Sequence, residues 1–245
     1  MLPDRSPSPE LSPLAIGEDF SPLPIIKSAG TAELTFSALL STPLRLHEDL
    51  AQGCGGQLWP PGMILAKHML RYHREDLRQT RILELGAGGG LVGLAVAKGC
   101  AYEEPLYVTD QADMISLMEH NIALNNLGGR VKASVLNWGE PLPKEIVDLK
   151  PGVILAADCA YFEPAFPLLL ATLSDLLTLS PSATIFFSFK KRRRADTQFL
   201  KKARKAFQVV EIEDEDRPVF SRDGLFLYTF TSKPQHQKHP SETKA

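Results

Sequence analysis

The sequence predicts an α/β protein: a doubly wound, mostly parallel sheet of seven strands. Three observations carry this. From Arg81 onward, short apolar runs (RILEL, PLYVTD, VKASVLNW, GVILAADCA, TIFFSFK) alternate with stretches of helical character. The first of these runs opens into a glycine-rich bend that leads directly into a helix. Near the end the alternation breaks, because FQVVEIE and LFLYTFT follow one another with no room for a helix between them. Two such strands imply an antiparallel hairpin at the sheet edge.

In chain order, residues 1 to 24 are rich in Pro and Ser and read as a disordered tail. The folded domain is expected over 25–232, with a second polar tail over 233–245. An N-terminal extension comes first: strands over AELTFSALL and PLRLHEDL, joined at Ser-Thr-Pro, then the loop QGCGGQLWPPG. Pro61 suits the first position of a helix over MILAKHMLRYHRED, where a missing N–H does no harm. Ile64, Leu65, His68, Met69 and Tyr72 fall on one face of that helix. The sheet then starts with RILEL and the helix LVGLAVAKG. PLYVTD precedes a helix from Asp113 to about Asn126, with Asp113 as its N-cap and Asn-Leu-Gly-Gly as its stop. VKASVLNW and GVILAADCA are strands three and four. A helix from near Pro164 to about Leu179 separates the latter from strand five, TIFFSFK, and ADTQFLKKARKAF forms the next helix.

Composition excludes several classes. A formal net charge of −2 over 245 residues gives no global electrostatic reason to bind nucleic acid. The three cysteines lack the number and spacing of a disulfide framework or zinc site, and the six histidines show no metal spacing. MLPDRSPSPELSP has no signal-type apolar core, and no apolar run approaches the ~20 residues of a membrane span. A cytoplasmic, reducing setting is the default expectation.

The chemistry is concentrated in ELGAGGGLVG. Glycines permit positive φ and let a ligand approach bare amides, and the helix that follows aims its N-terminal amides at the bend. A nucleotide-type ligand is therefore expected across the carboxyl end of strand one. Gly88, Gly90 and Gly93 also satisfy the dinucleotide spacing G-x-G-x-x-G, which keeps a nicotinamide-dependent oxidoreductase open as an alternative. Against it, Gly86 occupies the strand end where the first glycine of that fingerprint belongs, and Glu84 would repel a pyrophosphate while attracting a cationic ligand. No further chain remains for a substrate domain. Asp110 ends strand two, where a carboxylate can accept from both ribose hydroxyls.

The run ELGAGGGLVG, then VTD, NW and DCAY, resembles the seven-stranded, Rossmann-like S-adenosylmethionine-dependent methyltransferases. Within them it is similar to the small protein-lysine methyltransferases with a D-x-x-Y motif after strand four. DCAYFEPAFPLL and QLWPPG most resemble the fungal members acting on translation elongation factor 1-alpha. The resemblance spans roughly 30–232. It implies S-adenosylmethionine as methyl donor, a protein substrate, a monomer, and no metal. Gly86, Gly88 and Gly90 would line the donor's methionine part, with Ala157 and Trp59 beside it. Glu84 would hold the donor or, alternatively, cap the next amides. Asn137 and Trp138 would bracket the adenine. Asp158 and Tyr161 would carry the chemistry, Asp158 orienting the lysine amine and Tyr161 holding it by its ring face. KKRRR, Lys190 to Arg194, reads as a docking patch for an acidic protein surface, a nuclear-import segment or a solvated helix start. As a third class, a non-catalytic module would use it to hold RNA.

Overall fold

The computed structural model describes residues 29–49 and 54–234. The N-terminal tail expected from composition, all but the first two residues of the C-terminal one, and residues 50–53 lie outside the described residues. Strands β1 (Gly30–Leu34) and β2 (Leu44–Glu48) form a separate antiparallel hairpin, followed by helix α1 (Pro60–Tyr72). The main fold is β3 (Ile82–Leu85), α2 (Leu91–Gly99), β4 (Leu106–Asp110), α3 (Ile115–Leu124), β5 (Val131–Val135), α4 (Lys144–Leu149), β6 (Val153–Ala157), α5 (Phe166–Leu179), β7 (Thr184–Lys190), α6 (Arg194–Ala206), β8 (Gln208–Glu211), α7 (Arg217–Phe220) and β9 (Leu225–Thr231).

The seven-stranded sheet has the order β5-β4-β3-β6-β7-β9-β8. Its first five strands are parallel; β9 pairs antiparallel with both β7 and β8. All four residues of β3 are buried, as a central parallel strand covered on both faces requires. One core holds Leu65 and Met69 of α1, Leu94 and Val96 of α2, and Met118 and Ile122 of α3. The other holds Ile146 of α4, Leu169 and Leu173 of α5, and Phe199 of α6, with Phe187 stacked between Phe199 and Phe230. The order reverses at β3, whose neighbours β4 and β6 run out in opposite directions, and ligands settle outside the carboxyl ends of strands at such a point.

The seven strands, the parallel order and the C-terminal antiparallel pair agree with the sequence expectation, but several details differ. The first strand ends at Leu34 rather than continuing through FSALL. Phe36, Ser37 and Ala38 take positive φ (50°, 58°, 65°) in a turn closed by Leu40 N–H donating to Thr35 O, which tucks Phe36 and Leu40 into the core. Helix α1 begins at Pro60 and ends at Tyr72; its buried face runs through Leu65, Ala66, His68, Met69 and Leu70, leaving Tyr72 largely exposed. Asp113 is not an N-cap: it sits in a 3-10 turn, Ala112–Met114, that precedes α3. Helix α4 has no counterpart in the sequence expectation, its six residues being too few to show a period. The β8–β9 connection also has room for α7 and a 3-10 turn.

The hairpin is held by α3 in an unusual way. Asn121 and Asn125, one helical turn apart, present amides to β2 as a neighbouring strand would. Arg45 N–H donates to Asn125 Oδ1 (2.9 Å) and Asn125 Nδ2 donates back to Arg45 O (2.6 Å). His47 N–H donates to Asn121 Oδ1 (2.7 Å), and Asn121 Nδ2 donates to His47 O (3.2 Å) and to Gly89 O (2.9 Å). These bonds satisfy backbone groups that an edge strand leaves unpaired.

Candidate active site at the carboxyl ends of the central strands

The bend after β3 carries positive φ at Gly86 (59°), Gly88 (54°) and Gly90 (87°), and Gly90 is the N-cap of α2. Two of these glycines are also required by close neighbours. An ideal Cβ on Gly86 would come 2.9 Å from Cys159 Sγ and 3.0 Å from the Trp138 ring. One on Gly88 would come 2.3 Å from the carbonyl oxygen of Gly55, in the short 3-10 segment Cys54–Gly56 that lies over the bend.

Glu84 takes the capping alternative. Its carboxylate is 2 % exposed and accepts N–H from Val92 (3.3 Å) and Gly93 (2.7 Å), at the N-terminus of α2. Gly93 makes this possible, since a Cβ there would come 2.6 Å from Glu84 Oε2. Burial pushes the carboxyl up from 4.5 to about 8, against the pull of the two amides. A folded pKa above the unfolded one means the native state holds the extra proton. Its stabilising effect is full below pH 4.5 and is lost as pH rises through 8, at up to about 1.4 kcal/mol per pH unit. In urea titrations from pH 5 to 8.5, Glu84→Gln, which keeps the neutral shape, is expected to lose this slope; an unchanged slope would refute the assignment.

Asp110, at the end of β4, accepts Gly88 N–H at Oδ2 (2.7 Å) and Gln111 N–H at Oδ1 (2.7 Å). Burial raises its pKa, and the two amides oppose that shift. Its carboxylate therefore braces the glycine bend while keeping further acceptor positions. Asn137 and Trp138 lie beyond the end of β5 rather than within it. Asn137 Nδ2 donates to Glu140 Oε2 (3.0 Å), and Trp138 packs its ring against Gly86. The following loop is pinned by Gly139 N–H donating to Thr172 Oγ1 (2.8 Å) on α5.

Ala157 closes β6, and Asp158 follows it, 7 % exposed and at φ 56°. That left-handed conformation is tolerated by Asp better than by most side chains but still costs energy. It is held by Asp158 N–H donating to Ser188 O (2.8 Å) on β7. The Ser188 hydroxyl donates to Pro61 O (2.8 Å), so the same residue draws the start of α1, and with it Trp59, to this edge. Tyr161 is 51 % exposed and Phe162 55 %, both in the loop before α5.

The basic run is not one solvated block. Arg192 turns inward, its Nη1 donating to Asp158 Oδ1 (2.9 Å) and its Nη2 to Oδ2 (2.5 Å), with its guanidinium 5.7 Å from the Trp59 ring centroid. Arg193 donates to the Tyr161 carbonyl. Lys191 and Arg194 turn out, and with Lys201 and Lys202 they line an open hollow beside α6. Sequence reasoning treats the run as a unit and misses Arg192. It also misses Asn121, although asparagines at i and i+4 near a helix end are visible in HNIALNN.

The bend fits a cationic nucleoside ligand. Cys159, buried against Gly86, has its thiol pushed up first by burial and then by the negative field of Asp110, Asp158 and Glu84. The Asp110 carboxylate, bonded to the Gly88 amide with acceptor positions to spare, suits a cationic nucleoside at the bare glycine backbone and opposes a pyrophosphate. Among the described residues no His, Cys, Asp and Glu group could hold a metal ion, and no helix is long and apolar enough to cross a membrane.

Comparison with known proteins agrees. Residues 39–206 match the lysine methyltransferase family model. Protein-lysine N-methyltransferase EFM6 of Saccharomyces cerevisiae is 37 % identical over 210 residues, covering 76 % of this chain and 84 % of that protein. EEF1A lysine methyltransferase 3 of Mus musculus is 32 % identical over 142 residues, 57 % of each chain. The solved structure of mitomycin 7-O-methyltransferase MmcR superposes with a TM-score of 0.52 at 11 % identity, over 70 % of this chain and 54 % of that one, a likeness of fold alone. This chain therefore belongs to the lysine methyltransferase family, and it is an S-adenosylmethionine-dependent protein-lysine methyltransferase.

Proposed function

We propose that the chain methylates a lysine of elongation factor 1-alpha, with Asp158 and Tyr161 receiving the amine. The observation that carries the site assignment is the position of Asp158, buried and in a left-handed conformation, at the carboxyl end of β6 next to the glycine bend. The name of the mouse relative and the D-x-x-Y resemblance support the substrate.

When bound, the donor supplies a methyl carbon on a sulfonium; the amine lone pair forms the N–C bond as the C–S pair returns to sulfur. The remaining work belongs to the protein. Gly86, Gly88, Gly90 and Ala157 would border the methionine part, with Trp59 at its edge, and Asp110 would accept from the ribose. Asn137 and Trp138 border the adenine. Glu84 acts at one remove, by fixing the amides that begin α2. A free lysine, pKa ~10.4, is a neutral nucleophile in only about one molecule in a few thousand at pH 7. Partial burial and the donor's positive charge lower that pKa, and the proton leaves to solvent. Tyr161, with Phe162, holds the side chain by the ring face while Asp158 accepts an N–H and aims the lone pair. The outward cations Lys191, Arg194, Lys201 and Lys202 offer a seat for acidic surface on the substrate protein.

Labelled donor, incubated with this protein and a lysate of cells lacking it, is expected to mark one band that mass spectrometry identifies as elongation factor 1-alpha carrying methyl-lysine. Label on a different protein would overturn the substrate.

A further inference from the structure

We propose that Arg192 is a positioning residue for methyl transfer, holding Asp158 in a neutral ion pair so that this carboxylate grips an amine without favouring its ammonium form. The inference rests on the reading of Asp158 just given.

A lone carboxylate at this position would work against the reaction. An opposite charge within ~4–6 Å of an amine favours its protonated form by about 1–3 pKa units, and each unit removes nine-tenths of the nucleophile. Asp158 is buried, so the effect would be weakly screened. Arg192 answers both oxygens at once, through the planar fork that only arginine presents. The carboxylate has about four acceptor positions. The guanidinium takes two, Lys190 N–H approaches a third at 3.4 Å, and one is left for an incoming amine N–H.

Arg192 is itself fixed. Its backbone N–H donates to Asp196 Oδ2 (2.6 Å), and Asp196 is 1 % exposed on α6. Its guanidinium lies over Trp59, which the Ser188–Pro61 bond draws to the same edge. The other charged and titratable groups facing the pair are Lys190 at the end of β7, Arg193, Tyr161, whose carbonyl Arg193 binds, and Asp196. Asp196 Oδ2 accepts from the amides of Arg192 and Arg193, and the Arg193 guanidinium lies 3.9 Å from Oδ1. Asp110 and Glu84, which share the field at Cys159, are held by amides of the bend and of α2. With Arg192 in place, no unneutralised carboxylate among these groups stands at the amine's seat.

The test is the pH dependence of initial methylation rates at limiting acceptor, using the lysate assay above between pH 6.5 and 9.5. Arg192→Met uncovers Asp158. Its rate is expected to fall roughly tenfold at pH 7 and to approach wild type by pH 9.5, the apparent pKa moving up by about 1 unit. Arg192→Lys, with one point donor in place of a fork, is expected to shift the same way by less; it carries the test should the methionine variant not fold. Melting temperature and adenosylhomocysteine affinity report on folding and donor binding. A loss equal at every pH, an unchanged rate, or a faster reaction from removing a plug would each overturn the inference. Asp158→Asn separates the underlying reading: if that variant keeps the wild-type rate, the assignment of Asp158 has failed, whatever Arg192 does.

Discussion

Replacing Asp158 by Asn is expected to cut methyl transfer by at least about a hundredfold, or about 2.7 kcal/mol of barrier, while adenosylhomocysteine binds as before. Asn is the informative substitution because the backbone here sits at φ 56°, which Asn accepts and Ala does not without strain. It removes the charge and one of two acceptor oxygens while keeping shape. The donor's proposed contacts lie on the bend after β3, the end of β4, the loop after β5, Ala157 and Trp59, none of them the Asp158 side chain, so its affinity has little reason to change. Isothermal titration and single-turnover rates with labelled donor measure the two separately. An active Asp158→Asn variant would remove Asp158 from the chemistry, and a loss confined to donor affinity would reassign it to the donor.

Gly88→Ala is expected to have the larger effect on donor binding, at least tenfold, together with a stability loss of about 1–2 kcal/mol from the left-handed backbone alone. The new Cβ would meet the Gly55 carbonyl at 2.3 Å and its carbon at 3.2 Å; these are backbone atoms and cannot swing aside. Either the bend or the segment over it must move, and Asp110 loses its 2.7 Å bond to Gly88 N–H in the first case. Gly128→Ala is the matched control, with nothing within 4 Å of its Cβ and no positive φ. Retained donor affinity in Gly88→Ala, measured against that control, would mean the ligand does not use this bend.

The fold was readable because its main features repeat. Alternating apolar runs and helices specify parallel strands from β3 to β7, and two adjacent strands without a full helix specify the antiparallel end. Gly86, Gly88 and Gly90 could be singled out because positive φ leaves few other residues possible, and all three take it. What escaped was everything set by side-chain direction in irregular segments. KKRRR carries no period, so nothing in it tells that Arg192 turns toward Asp158 while Lys191 and Arg194 turn away. Glu84 has two roles open to it in the sequence, because a buried strand residue shows its partner only once α2 is placed; the amides of Val92 and Gly93 then decide. Phe36 to Ala38 look like strand by composition and are bent by the need to bury Phe36 and Leu40.

The clasp that Asn121 makes has a further consequence. One amide touches both the β2 backbone at His47 and the carbonyl of Gly89, so the N-terminal ribbon and the ligand loop share a mechanical link. Anything that quiets the loop also quiets the ribbon. Amide hydrogens of Arg45 and His47, far from any ligand atom in sequence, would then exchange with solvent more slowly in the ligand-bound enzyme, making a leading segment outside the sheet a reporter of occupancy.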